Sequence, residues 1–254
     1  MYRFTGVPDG ANPLSGLTLL DGVFYGTTGE GGANRLGTAF SFHSASGIES
    51  PIHAFAGPEG GNPWGGLLAQ GGLLYGAAQA GGANNYGTVY SIDPLSGAST
   101  VIYSFTGGAD GAVPVTGLTY FNGSLYGVTP GNVNGVGAAP WGTVFSVDVA
   151  SGAETTLYSF TNTGDGARPN GPLIVVNGFL YGSSYGSEAK KSKSLGSIFM
   201  IDPTTGAETT LFQFTSKRDG LYPSAGLTYY KGAFYGVTYL GGTADHGTLF
   251  KFTP

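Results

Sequence analysis

The chain says nearly the same thing five times. Phe4, Phe55, Phe105, Phe160 and Phe214 each end a short apolar stretch and open a glycine-rich one, at separations of 51, 50, 55 and 54 residues. Behind each comes the same series of signals. Leucines stand at Leu17, Leu67, Leu118, Leu173 and Leu227, and Tyr-Gly steps begin at Tyr25, Tyr75, Tyr126, Tyr181 and Tyr235. A Gly-Thr or Gly-Ser step then precedes the aromatics Phe40, Tyr90, Phe145, Phe199 and Phe250 by two residues. Self-similarity at this period means an array of one supersecondary unit, in which each copy buries its apolar face against the next.

The unit reads as four strands. Asp21-Gly22, Gly71-Gly72, Asn122-Gly123, Asn177-Gly178 and Lys231-Gly232 lie between the leucine and tyrosine landmarks. Four of these five pairs are preferred two-residue hairpin turns, because φ > 0 costs little there. They join strand A to strand B. The segment around the later aromatic, such as Gly142-Thr143-Val144-Phe145, is strand C. A turn such as Asp202-Pro203-Thr204-Thr205-Gly206 leads to strand D, as in Thr210-Leu211-Phe212-Gln213-Phe214. No helical periodicity competes with this pattern. Four antiparallel strands per unit make a blade, and five units predict an all-β, five-bladed β-propeller as a single domain over residues 1–254.

The spacing also predicts how the ring closes. Strand C aromatics precede strand D phenylalanines by 15 residues at 40–55, 90–105, 145–160 and 199–214, whereas only four residues follow Phe250. Met1 to Thr5, ending on Phe4, is expected to supply the missing strand and join the last blade, with a seven-residue turn absent between Phe250 and Met1.

The recurring Leu125-Tyr126-Gly127, Gly-Gly and Gly142-Thr143-Val144-Phe145 patterns resemble the GloVer tandem repeat of bacterial surface-anchored proteins, over essentially the whole chain. The resemblance implies a propeller-like array and an extracellular or cell-surface location. It carries no activity and no catalytic residues. Neither a signal peptide nor an anchor segment is read in this stretch of chain.

Composition narrows the chemistry. Glycine is 48 of 254 residues, which suits many tight turns, while the aromatic content of 13% supplies core material that a disordered chain lacks. A net charge of −5 offers no basic footprint for nucleic acid, and Lys190, Lys191 and Lys193 form only a short loop run. Without cysteine there is no disulfide, thiolate zinc site or cysteine nucleophile. The three histidines, His43, His53 and His246, are too scattered for a histidine metal site, and no G-x-S-x-G elbow occurs. No cofactor is expected, no apolar run spans a membrane, and a monomer is expected.

Loop lengths point to one face. The D-to-A interval from Phe to Leu is 13, 12, 13, 13 and 13, whereas the B-to-C interval between the flanking glycines is 11, 11, 15, 14 and 11. Length variation therefore collects in the B-to-C loops, which emerge beside the D-to-A loops. The D-to-A loops repeat an acid, at Asp9, Glu59, Asp110, Asp165 and Asp219, each followed by glycine. These acids read either as a ring that binds sugar hydroxyls or calcium, or as turn carboxylates bonding their own backbone. The B-to-C loops add Arg35, Asn85, Tyr86, Trp141, Tyr185, Tyr239 and His246 as candidate ligand contacts, with Trp141 flat enough to stack on a sugar. Asp245, His246, Tyr239 and Arg35 are the candidates for acid–base chemistry of a polysaccharide lyase or glycosidase. Three readings stand at this point: a glycan- or other ligand-binding surface propeller, such an enzyme, and a structural module with a protein partner. The tyrosines of the Tyr-Gly step are expected to pack between blades, and their glycines to admit close backbone approach between blades.

Overall fold

The computed structural model describes residues 1–131, 138–186 and 194–254. Among them there are twenty strands and no helix, arranged as five sheets of four strands. The first is β1 (Thr18–Leu20), β2 (Val23–Thr28), β3 (Thr38–His43) and β4 (Ile48–Ala54), paired in chain order. The second repeats it with β5 (Leu68–Gln70), β6 (Leu73–Ala78), β7 (Thr88–Ile92) and β8 (Ser99–Ser104). The third has β9 (Thr119–Phe121), β10 (Ser124–Thr129), β11 (Thr143–Asp148) and β12 (Glu154–Ser159). The fourth has β13 (Ile174–Val176), β14 (Phe179–Ser184), β15 (Ser197–Ile201) and β16 (Glu208–Gln213). Strands A to D of the reading are these four in each case.

The fifth sheet is built differently. Strands A to C are β18 (Thr228–Tyr230), β19 (Ala233–Leu240) and β20 (Thr248–Phe252), and the fourth member is β17 (Leu221–Pro223), which pairs with the far end of β19. Elsewhere the same D-to-A residues make only single bridges, Ala11↔Glu30, Gly61↔Ala80 and Pro169↔Ser184. The strand expected over Met1–Thr5 is not formed; that segment lies outside every ladder. Phe4 nevertheless packs on Phe40, ring centroids 5.1 Å apart.

The chain groups into two compact units, one of residues 1–107, 112–125 and 147–153, the other of residues 108–111, 126–146 and 154–254. The first holds the first and second sheets and the second the fourth and fifth.

All five hairpin pairs adopt the expected turn. Their first residues, Asp21, Gly71, Asn122, Asn177 and Lys231, have φ of 47–59°, and the glycines that follow have φ of 81–87°. Lys231 takes this conformation despite its side chain, which lies 5.1 Å over the Tyr230 ring.

The landmark aromatics meet one another. Phe55 of strand D packs edge-on against Tyr90 of the next repeat at 5.0 Å, Phe160 against Phe199 at 5.1 Å and Phe214 against Phe250 at 5.2 Å. Such pairs add about 0.5–1.5 kcal/mol beyond their buried area. In the first unit, Tyr25 and Ala39 share a core with Leu67, Leu74, Tyr90 and Ile92 of the following sheet. In the second, Tyr181 and Ile198 share one with Leu227 and Phe234. Tyr25 and Tyr181 of the Tyr-Gly step thus belong to cores between successive repeats. Their glycines serve another purpose than the expected one. Gly26 pairs with Phe40 and Gly182 with Phe199 across the strand, and a Cβ there would stand 2.6 and 2.5 Å from the ring's Cζ. The glycine makes room for an aromatic ring of its own sheet.

Candidate functional site

The D-to-A and B-to-C loops lie together at one end of each sheet, and the fate of their polar groups decides which are free to act. The D-to-A acids are mostly committed. Asp9 accepts hydrogen bonds from the Tyr2 hydroxyl at 2.5 Å, the Thr5 N–H at 3.0 Å and the Thr5 hydroxyl at 2.7 Å. Burial opposes its charge, but these bonds outweigh it and hold the carboxyl below its usual pKa, while pushing the Tyr2 phenol up. Asp165 repeats the arrangement, accepting from Tyr158 at 2.9 Å, the Thr161 N–H at 2.7 Å, the Thr161 hydroxyl at 3.0 Å and the Thr163 N–H at 3.2 Å. Glu59 accepts from the Ala56 N–H at 2.6 Å and lies 3.3 Å from His53 Nε2. Asp110 accepts from the Gly108 N–H at 3.0 Å. Asp219 is more open, receiving the Ser216 hydroxyl at 2.9 Å and that of Thr215 at 3.3 Å.

The backbone of each acid is held as well. Thr38, Thr88 and Ser197 of strand C donate their hydroxyls to the carbonyls of Asp9, Glu59 and Asp165 at 3.1, 2.8 and 3.2 Å. The Thr38 and Ser197 hydroxyls also pair with Thr28 and Ser184 of strand B at 2.9 and 2.8 Å. The acid is therefore the keystone between one strand D and the sheet that follows. Replacing the buried Asp165 by alanine removes the common acceptor of four hydrogen bonds and is expected to cost about 1–3 kcal/mol. The same change at Asp219, whose donors reach water, is expected to fall within about 0.5 kcal/mol. Thermal unfolding of the two variants checks the contrast.

A second set of acids escaped the sequence reading because it sits in strand D, at Glu49, Glu154 and Glu208. Burial pushes each carboxyl up in pKa, against hydrogen bonds from Tyr2, Thr156 and Thr210. The charges of Asp9, Asp110 and Asp165 raise them further. The recurring Ala-Glu-Thr-Thr at residues 153–156 and 207–210 was the available signal.

Each D-to-A loop also stores strain. Asn12, Asn62, Val113, Arg168 and Tyr222, three residues after the acid, have φ of 54–59°, which costs a β-branched residue such as Val113 about 1–3 kcal/mol. The strain is held by one repeated bond to the preceding repeat. Asn62, Val113, Arg168 and Tyr222 donate their N–H to the carbonyls of Leu36, Tyr86, Trp141 and Leu195 at 2.8, 2.9, 2.7 and 2.8 Å. Tyr86 and Trp141 therefore occupy a repeated structural position, with half-buried side chains. The Tyr86 ring lies against Gly107, where a Cβ would come within 2.6 Å of it.

The remaining B-to-C residues divide. Asn34 and Asn84 donate to the carbonyls of Phe55 and Phe105 at 3.1 and 3.2 Å. Asn85 Oδ1 accepts from the Gly81 N–H at 2.9 Å, and Asp245 Oδ1 accepts from Gly241 at 3.0 Å. The other Asp245 oxygen meets Lys217 Nζ at 2.5 Å, a contact that holds the carboxyl below its usual range, with the Gly241 bond adding to it. The acid proposed to work beside exposed His246 is thus already engaged. Tyr185 stacks on Tyr222 with centroids 4.9 Å apart and planes 18° from parallel, a platform to which Tyr222 was not assigned by sequence. Tyr239 is exposed on β19. Lys190, Lys191 and Lys193 lie outside the described residues.

Two grooves lie in the first unit. One, of about 550 Å³, runs between the D-to-A and B-to-C loops of the first repeat, lined by Thr5, Val7, Glu30, Arg35 and Asn62. Its counterpart in the second repeat, of about 540 Å³, is lined by Pro58, Ala83, Asn85, Val101 and Ser104. Arg35 and Glu30 are exposed at the first. The groove is open and polar enough for hydroxyl-rich ligands, and its lining changes from one repeat to the next. Among the described residues no cluster of three or more acidic or histidine side chains is placed to hold a metal ion. Among the same residues no helix is long and apolar enough to cross a membrane.

Comparison with known proteins agrees with the repeat. A family model described as the Gloeobacter/Verrucomicrobia repeat matches residues 1–139 and again 131–254. No curated protein matches the sequence. Among solved structures, the nidogen/laminin complex is similar with a TM-score of 0.59 at 13% identity, over 95% of this chain and 80% of that one. TolB from Acinetobacter baumannii is similar with a TM-score of 0.55 at 13% identity, over 91% of this chain and 49% of that one. The tricorn protease has a TM-score of 0.54 at 13% identity, over 96% of this chain and 21% of that one. These neighbours are β-propellers, and at such identity the likeness is one of fold alone.

Proposed function

The chain belongs to the Gloeobacter/Verrucomicrobia repeat family, and from that premise we propose that it is a surface-exposed binding module whose D-to-A and B-to-C loops grip a carbohydrate. The fold is compatible with a ligand-binding or protein-interaction role. The observation that carries the reading is the pair of equivalent grooves in successive repeats, built on one rigid backbone and lined by different side chains. Rigid loops lose little entropy on binding, and a groove with an arginine, a carboxylate and amide groups presents the donors and acceptors that sugar hydroxyls take up. The keystone acids support the groove rather than fill it. The Tyr185–Tyr222 platform and Trp141 extend the set of surfaces on which a sugar ring can stack. An extracellular or cell-surface site of action goes with this reading.

Arg35→Ala is the test. Binding to a glycan array, followed by calorimetry on the hits, is expected to fall by about tenfold or more, as the loss of a charge-assisted hydrogen bond implies. Because Arg35 is exposed, the melting temperature stays within about two degrees of the parent. An array left clean at high protein concentration, or hits indifferent to Arg35, overturns the proposal.

A further inference from the structure

The first groove adjoins a tryptophan. Trp64 lies two residues after Asn62 in the D-to-A loop of the second repeat and is 44% exposed. Its repeat equivalents are Leu14, Val115, Asn170 and Ser224, so only this copy carries a ring there. The indole rests on Gly29, in the B-to-C loop of the first repeat, where a Cβ would stand 2.7 Å from both Cδ1 and Nε1. The backbone of Gly29 is not in the left-handed region that calls for glycine, and its equivalents in the other copies are Gln79, Pro130, Tyr185 and Tyr239. The missing side chain is therefore matched to the ring that takes its place.

The seat is fixed on both sides. Asn62 donates its N–H to the Leu36 carbonyl at 2.8 Å and its side-chain amide to the Gly29 carbonyl at 2.9 Å, and the Thr27 hydroxyl donates to the Gly65 carbonyl at 3.2 Å. Two lining residues of the groove are thereby tied to the ring: Asn62 is bonded to Gly29, and Glu30 follows it in the chain. Tryptophan is highly buried on average, so a ring held rigidly and left open beside a carboxylate and an amide is a stacking surface with polar groups at its rim. Resting on the carbohydrate reading above, we propose that Trp64 is the stacking position of the first groove. Its ligand is a pyranose with an unbroken face of ring C–H groups, as gluco-, xylo- and galacto-configured sugars have, laid on the indole with its hydroxyls toward Glu30 and Asn62. The second groove has Gln79 and Val115 at the equivalent positions, so stacking of this kind belongs to the first alone.

A glycan array that includes cello-, xylo- and galacto-oligosaccharides, with calorimetry on the hits, tests it. Trp64→Ala is expected to weaken binding by about tenfold or more, and Trp64→Phe, which keeps a ring, to retain most of it. The tryptophan fluorescence of the parent is expected to shift to the blue on saturation with a hit, as the indole leaves water, and the shift is expected to vanish in Trp64→Phe. That readout uses only the parent and the conservative variant, so it stands even where Trp64→Ala does not fold. A shift that persists in Trp64→Phe arises at Trp141, the only other tryptophan, and overturns the inference. Binding that depends on Arg35 and is indifferent to Trp64 overturns it as well, while leaving the carbohydrate reading in place. Hits confined to sugars of other configurations have the same effect. An array with no hit at all overturns both.

Discussion

Gly142→Ala is expected to lower the melting temperature by about 10 °C or more, or to leave no folded protein, because two costs fall on one atom. Gly142 has φ +97°, outside the basin where an L-residue sits without strain. Its Cβ would stand 2.5 Å from the Thr129 carbonyl oxygen and 2.6 Å from Pro169 Cδ, and neither neighbour has freedom to withdraw. Thr129 is in strand B, and Pro169 belongs to the strained D-to-A loop whose Arg168 N–H is bonded to Trp141. The control is Gly178→Ala. That glycine has φ +85° in a hairpin turn with nothing within 4 Å of the added methyl, so only the backbone cost of about 1–2 kcal/mol remains. Thermal unfolding followed by circular dichroism separates the two costs. Equal losses at both positions mean that the contact to the next repeat contributes nothing.

Phe199→Ala is expected to cost about 3–5 kcal/mol, the usual range for emptying a buried phenylalanine site. Phe199 is fully buried, edge-on to Phe160 and pressed over Gly182. Gly182→Ala alone drives a methyl into the ring and is expected to cost about 1–3 kcal/mol as overpacking. In the Phe199→Ala background the same methyl enters the vacated space. The double variant is therefore expected to be no less stable than Phe199→Ala, a coupling of about 1–3 kcal/mol in a double-mutant cycle. Additive losses mean that the ring does not rest on the glycine.

Those two glycines also mark where sequence reasoning works and where it stops. The hairpin turns were legible because Asn-Gly and Asp-Gly carry their own conformational preference, and all five adopted it, Lys231 included. Strand order within the first four sheets was legible because short loops leave antiparallel neighbours no alternative. The glycine of Tyr-Gly was visible as a regularity, yet its cause, a ring across the strand pair, appears only once the register is known. The candidate site was legible as two loops and not as a set of contacts. The acids of those loops look alike in sequence, but Asp165 is enclosed by four donors while Asp219 meets two exposed hydroxyls. Glu30 carried no signal at all until the groove placed it near Arg35.

By itself, then, the fivefold sequence determined the strands, the turns and the face on which loops vary, since these follow from local preference and from the period at which apolar residues return. Only the tertiary structure decided which polar groups are spent on the scaffold and which remain for a ligand. It also decided that Met1–Thr5 forms no ladder. Burial and hydrogen-bond partners are properties of neighbours brought together by folding, and a repeat that reads the same at every copy does not say which of its polar groups those neighbours will engage.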